Sequence, residues 1–473
     1  MKKSTKVSAV LLSLAILFST ILFPSSMYAS TQDTPSLWAM DEVIDAEVYG
    51  LVNEEVSKGY KQNITRKDLA TLGVLFFESI TGEKITASEE SPFTDADDEY
   101  ILKAYSKNIV KGRGNGIFDP NGEATREEVS IVFYNTLKTA DKLGISESDP
   151  VKYMVSKGIL KGKGKDLALK DRCTKEQTIL ISKRIYELAS KETGNPSKGL
   201  LWKVTGGKSD AYILGSIHIG KKELYPLNSK ITDIFKKSDY LSVEANILDM
   251  EGVQEQIAEK AFYKDSTLKE NISEETYELL VKKLDEYNID YSVFEKAKPW
   301  YVSMVFATLD HQVAEYEIAM GIDQYFLTKA IFDAASNKEI LELESIEFQI
   351  DLFDSFSPDM QEENLKEALL SLEKVNDENT AQEEIVEAMW DLWQKGDSKG
   401  FEELIDMATE EDSEYNQKFW HERNINMTNK VIDYLNDEEG KTYFVVFGAG
   451  HLYSKTGVLK ALEEKGYKLE QIK

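Results

Sequence analysis

Hydrophobic and polar positions along the chain follow three different rhythms. The first opens with Lys2, Lys3 and Lys6, runs apolar from Val7 to Phe23, and closes on Pro24, Ser25 and Ser26 ahead of a small-residue site at Ala29. That order is the layout of a secretory signal peptide, cleaved after residue 29. The second rhythm repeats itself. Ser106-Lys107-Asn108-Ile109-Val110-Lys111-Gly112 recurs as Ser156-Lys157-Gly158-Ile159-Leu160-Lys161-Gly162. Each copy is followed by a loop and then by a threonine opening an amphipathic stretch, Thr125-Arg126-Glu127-Glu128 and Thr174-Lys175-Glu176-Gln177. Gly50-Leu51-Val52 leads to Thr65-Arg66-Lys67-Asp68 in the same way. A threonine three residues before Asp, Glu or Gln predicts a capping box at a helix start. Residues 36–190 therefore predict three helix–turn–loop–helix units, each of about 50 residues, stacked on a shared core.

Residues 191–199 are polar and carry Gly, Asn, Pro and Ser, which predicts a linker. The third rhythm begins at Leu200. Leu200–Val204 and Ala211–Leu214 flank a Gly-rich turn and predict a hairpin, with further strands at Tyr240–Val243, Glu339–Leu343, Lys441–Phe447 and Tyr467–Ile472. Residues 250–335 and 348–435 read as helices, the latter very acidic, with apolar residues at three- to four-residue spacing. Its charges read as solvated helix faces. Strands at both ends of a long helical insertion predict an α/β or α+β domain over 200–473.

Composition narrows the function. The 473 residues hold 56 Lys+Arg against 84 Asp+Glu, a net charge of −28. Such a chain cannot draw counterions off a phosphate backbone, which excludes nucleic acid as a partner. The single cysteine, Cys173, excludes intrachain disulfides and Cys-cluster metal sites. An exported chain without a disulfide suits the exterior of a Gram-positive bacterium.

The chain holds four histidines, and two stand in the same setting. His218 follows Gly215-Ser216-Ile217 at the end of one predicted strand, and His451 follows Gly448-Ala449-Gly450 at the end of another. Gly215 and Gly448 let the backbone turn sharply at the sheet rim, where ligands of α/β sheets bind. Glu244 ends a third strand. Two imidazoles and a carboxylate on neighbouring strand ends form a candidate divalent-metal site, with loop hydrogen bonding of each group as the plainer alternative. His311 and His421 read as helix residues.

Two resemblances follow from these motifs. Trp38-Ala39, Gly50-Leu51-Val52, Phe93-Thr94-Asp95, the Gly116-Ile117-Phe118-Asp119-Pro120-Asn121 loop and the Thr-Arg helix starts resemble the S-layer homology (SLH) repeat family over residues 36–190. The resemblance implies a compact α-helical domain that anchors the chain to an anionic, pyruvylated secondary cell-wall polymer, a polysaccharide contacted by Arg66 and Arg126. The first repeat lacks the Gly-x-Phe-x-Pro loop. The third has Lys175 for arginine and lacks both Phe-Thr-Asp and Phe-x-Pro, so at least one polymer site is expected to be silent.

Residues 200–473 resemble the TraB/PrgY/GumN family, which includes the TIKI metalloproteases and is related to the erythromycin esterase (EreA)/ChaN-like group. The matching segments include Leu201-Trp202-Lys203-Val204, Tyr212-Ile213-Leu214-Gly215-Ser216-Ile217-His218, Val243-Glu244, Gly321-Ile322-Asp323-Gln324, Leu343-Glu344-Ser345, Glu422-Arg423-Asn424 and Val446-Phe447-Gly448-Ala449-Gly450-His451. The resemblance implies a divalent metal (Mn, Co or Zn) on His218, His451 and Glu244, and peptide hydrolysis in TIKI-like members. Glu244 is then a third ligand or the general base. Arg423 is an oxyanion or carboxylate clamp, or else a structural salt bridge. Asp323 and Glu344 are further ligands or orienters. A surface protein that binds a peptide without turnover, and a structural surface-layer component, are the competing readings.

Overall fold

The computed structural model describes residues 34–162, 166–194, 196–246, 252–313, 320–332, 338–374, 381–408, 413–453 and 455–473. The expected signal peptide and the side chain of His311 lie outside the described residues. The described residues divide into two compact units, one over 34–196 with Phe332 and one over 197–331 and 338–473. The segment read as a linker is shared between them. Its first residues finish a helix at Thr193, whereas Ser197 already bonds to Pro226 and Asn228 of the second unit.

The first unit has six helices among the described residues: α1 (Leu37–Val48), α2 (Arg66–Thr81), α3 (Glu99–Ser106), α4 (Arg126–Ala140), α5 (Pro150–Ser156) and α6 (Lys175–Thr193). The long helices α2, α4 and α6 each start at a complete capping box, on Thr65, Thr125 and Thr174. Gly50, Asn108 and Gly158, one per repeat, share a left-handed backbone with φ of 69°, 58° and 70°. The repeats close into a ring. The Ala124 amide donates to the Ile64 carbonyl at 3.0 Å, Cys173 to Ala124 at 3.1 Å, and Ile64 to Cys173 at 2.8 Å.

A second interlock uses the arginines. Arg66 donates from Nε to the Phe118 carbonyl at 2.9 Å and from Nη2 to Lys111 at 2.8 Å. Arg126 does the same to Leu167 at 3.1 Å and Lys161 at 2.7 Å. At the third position Lys175 pairs with Asp68 at 3.1 Å. Each guanidinium thus commits two donors to the next repeat, a structural role the sequence did not separate from polymer contact. Arg66→Ala is expected to destabilise this unit by about 1–3 kcal/mol, read from its urea transition in the full chain.

The second unit is built on a six-stranded mixed sheet of order β4-β3-β5-β2-β1-β6. The strands are β1 (Leu200–Thr205), β2 (Asp210–Ser216), β3 (Tyr240–Val243), β4 (Glu339–Glu342), β5 (Thr442–Gly448) and β6 (Lys468–Ile472). β1 and β2 form the expected antiparallel hairpin, and β6 adds antiparallel to β1. β2, β5, β3 and β4 run parallel. β5 lies between two parallel neighbours with both faces covered, which is why Tyr443–Phe447 is apolar without alternation. Phe444 packs on Phe235 of α7 (Ser229–Lys237), and Tyr443 stacks on Tyr434 from the other face.

The helical insertion builds its own core around Trp300, Phe306, Phe353, Leu365 and Leu369. These residues come largely from α8 (Pro299–Val313) and α10 (Pro358–Lys374), with α9 (Ile322–Phe332) between them in sequence. The acidic region is more than solvated faces. Trp390 and Trp393 of α11 (Ala381–Lys395) are fully buried, and so is Arg423 at the start of α12 (Arg423–Leu435). Because β2, β3 and β5 are parallel, their C-terminal ends share one rim, where His218, Glu244 and His451 follow.

Candidate functional site

The rim brings His218, Glu244 and His451 together around Gly448. A Cβ at Gly448 would stand 3.0 Å from His218 Nε2, 3.5 Å from His451 Cδ2 and 3.6 Å from Glu244 Oε2. The glycine is what leaves this space open. His218 Nε2 lies 4.0 Å from Glu244 Oε2, and the Gly448 amide donates to the same oxygen at 3.1 Å.

Each imidazole is tied at its other nitrogen. His218 Nδ1 pairs with Asp323 Oδ1 at 3.1 Å, and His451 Nδ1 hydrogen-bonds Asn424 Oδ1 at 2.7 Å. An amide oxygen only accepts, so His451 carries its proton on Nδ1 and presents a lone pair at Nε2. Asp323 reaches His218 because the two backbones touch. The Ile322 amide donates to the Ile217 carbonyl at 3.0 Å, and a Cβ on Gly321 would stand 2.2 Å from the His218 carbonyl oxygen.

Arg423 is the electrostatic centre. Its Nε bonds both oxygens of Glu344 at 3.1 and 3.0 Å, and Nη2 bonds Glu344 Oε2 at 2.8 Å and also Glu244 Oε1. The guanidinium lies over the Phe419 ring at 4.8 Å. A seven-residue π-helix, Asn416–Glu422, immediately precedes it. This wider turn delivers Phe419, Trp420, Arg423 and Asn424 to one side of the rim, a common use of π-helical turns. Trp420 packs against the His451 ring at 4.8 Å.

The charges follow from this packing. Burial disfavours the Glu244 carboxylate, but Arg423, His451, His218 and the Gly448 amide hold it down at about 2. Glu344 is raised by burial, which with Glu244 outweighs Arg423. Burial and Arg423 push His451 down to about 3. Burial opposes protonation of His218 as well, yet Asp323 and Glu244 prevail and raise it.

The donor types suit a divalent cation of the Mn, Co or Zn class, and imidazoles tied at Nδ1 are the usual form of metal-binding histidine. The spacing is wider than a closed ligand set. Two donors on one tetrahedral zinc stand roughly 3.3 Å apart. Among the described residues no group of three or more His, Cys, Asp or Glu is arranged to hold a metal ion.

The six site residues singled out in the sequence therefore meet: His218, Glu244 and His451 around Gly448, Asp323 on His218, and Glu344 with Glu244 on the guanidinium of Arg423. Arg423 serves as a buried salt bridge. Asn424, Trp390, Trp393 and Trp420 were missed as site residues. The three-residue spacing of the two tryptophans inside an acidic helix was the available signal.

An α/β domain with histidines at two parallel strand ends and a buried Glu–Arg–Glu cluster between them is the class of protein seen here. Residues 200–471 match the TraB/PrgY/gumN family, and the chain belongs to that family. Residues 92–130 match the S-layer homology domain. A Shigella flexneri protein, YbaP, is 28% identical over 144 residues, 30% of this chain and 52% of YbaP. The metalloprotease TIKI2 of Xenopus tropicalis is 35% identical over 63 residues, 13% of this chain and 12% of TIKI2. An endoglucanase of Bacillus sp. (strain KSM-635) is 26% identical over 121 residues, 23% of this chain and 13% of the endoglucanase. The chain spans about half the length of YbaP.

Proposed function

We propose that this protein is a cell-surface hydrolase of peptides that uses a divalent metal, manganese, cobalt or zinc, held by His218, His451 and Glu244. The observation that carries the reading is the convergence of His218 Nε2, Glu244 Oε2 and the His451 ring on the space beside Gly448. The partial likeness to a metalloprotease supports it. When bound, the ion would polarise the scissile carbonyl and lower the pKa of a water. Asp323 and Asn424 fix the two rings. Glu244, held at about 2, stays ionised and accepts protons weakly, which favours ligand over general base. Arg423 commits its Nε and Nη2 to two carboxylates, which holds Glu244 in place, while its buried Nη1 has no hydrogen-bond partner among the described residues and is left to receive a substrate oxygen.

The S-layer homology domain implies association with the cell surface. We read residues 36–190 as three such repeats, after a signal peptide over 1–29, that bind a secondary cell-wall polysaccharide. The three capping boxes and the closed ring support three repeats. A cavity of about 280 Å³ beside Arg66, walled by Phe118, Glu128 and Asn135, offers one polymer site. The fold of 200–473 is read as EreA/ChaN-like. A second reading, a surface protein that binds peptide without turnover or a structural surface-layer protein, is favoured by the wide spacing of the donors.

Elemental mass spectrometry on the purified chain after loading with each metal tests the proposal. Close to one ion per chain is expected in the parent, lost in His218→Ala and in His451→Ala. A folded parent that takes no metal would move the assignment to the binding reading.

A further inference from the structure

The loop that carries His218 is held from two directions, through alternate carbonyls. The Trp393 indole donates to the Gly215 carbonyl at 2.7 Å, the Ile322 amide to Ile217 at 3.0 Å, and the Trp390 indole to Ile219 at 3.2 Å. Both indoles belong to α11, one turn apart, and are 0% and 1% exposed. They therefore bracket His218 from three residues before it to one residue after.

The helix that carries them is itself docked beside this loop. Lys198 donates from its amide to the Gln394 carbonyl at 2.9 Å, and Lys221 pairs with Glu387 at 2.8 Å while lying over the Trp390 ring at 4.3 Å. Ordinary core packing explains two buried rings in this place. It does not explain why both N–H groups meet carbonyls that flank one histidine, Gly215 near the end of β2 and Ile219 in the loop beyond it, since phenylalanine fills a similar space and donates nothing.

We infer that Trp390 and Trp393 are positioning residues that set the direction of the His218 imidazole through the carbonyls of Gly215 and Ile219. The inference deepens the metal reading above and rests on it for the choice of His218 as a functional group. The Ile219 carbonyl lies past the strand and turns more freely once its donor is lost, whereas Gly215 stays in the β1–β2–β5 ladder, so Trp393 fixes the point from which the His218 loop departs and the ring between the two moves with either change. Outer partners of metal-binding histidines typically contribute 10- to 100-fold in metal affinity.

The test uses the full chain with ¹⁵N-labelled histidine, whose four imidazoles are assigned with His218→Ala and His451→Ala. Trp390→Phe, Trp393→Phe and the double variant are compared with the parent. A chain carrying benzothienylalanine at 393 is added, because it keeps the ring shape and removes the N–H. The His218 nitrogens are expected to shift while those of His451 stay, and manganese ion alone is expected to bind 10-fold or more weakly to the double variant. Unmoved His218 signals in the double variant and in the benzothienyl chain would overturn the inference. If the phenylalanine variants fail to fold, the benzothienyl chain decides. A parent that binds no manganese, with the His218 shift still present, keeps the positioning role and removes the metal reading.

Discussion

Arg423→Met is expected to destabilise the C-terminal unit by about 3–5 kcal/mol, the range for removing one partner of a buried ion pair. Methionine fills comparable space, so the loss reports charge rather than a cavity. Glu244 and Glu344 would face each other with no cation between them, 5% and 8% exposed. Urea unfolding of the full chain, followed on the transition of this unit, measures the change. Adding Glu344→Gln to Arg423→Met should recover part of it, because the second buried charge goes too. A loss below about 1 kcal/mol would mean that the cluster is not ionised as described.

The sign with pH separates parent from variant. In the parent Glu244 is depressed from its ordinary 4.5 to about 2 by its partners, despite burial. Its contribution is complete above about 4.5 and disappears as the pH falls through 2. In Arg423→Met the remaining burial raises the carboxylates, so the deficit should shrink, not grow, as the pH is lowered from 8 to 5.

The second large effect is expected at Gly448, where alanine should abolish metal loading while leaving a folded chain. The backbone at this residue, φ −49° and ψ 127°, is open to any L-residue, so the substitution strains nothing locally. The added methyl, however, enters the space shared by the three rim groups, 3.0 Å from His218 Nε2. The ring must give by a few tenths of an ångström, and the methyl takes the volume that an ion between the three groups would occupy. Elemental analysis beside a thermal melt reads both halves of the expectation. Full metal content in Gly448→Ala would place the ion elsewhere and defeat the assignment of the rim.

Much of this arrangement was legible in the chain because strand ends announce themselves. The apolar runs before Gly215 and Gly448 mark two strands. A glycine three residues before each histidine marks the turn that brings the side chain to the rim. Glu244 was legible for the same reason, at the end of Tyr240–Val243. What pattern could not give was partnership across long separations. Arg423 read equally as clamp or salt bridge, since only the tertiary fold puts Glu344 and Glu244 on either side of it. Arg66 and Arg126 likewise read as polymer contacts, and the carbonyls they bind belong to another repeat. Trp390 and Trp393 stand among Ile385, Val386, Met389 and Leu392, so their burial follows the helical pattern, but no pattern says which carbonyl an indole N–H reaches.

The place of β5 has a temporal consequence. β2 and β3 are not neighbours, and they meet only through this strand, which follows them by some two hundred residues. A growing chain therefore has His218 and Glu244 beside strands with no contact between them until Thr442–Gly448 arrives. Until then the space beside Gly448 does not exist, because Gly448 is itself the last residue of that strand.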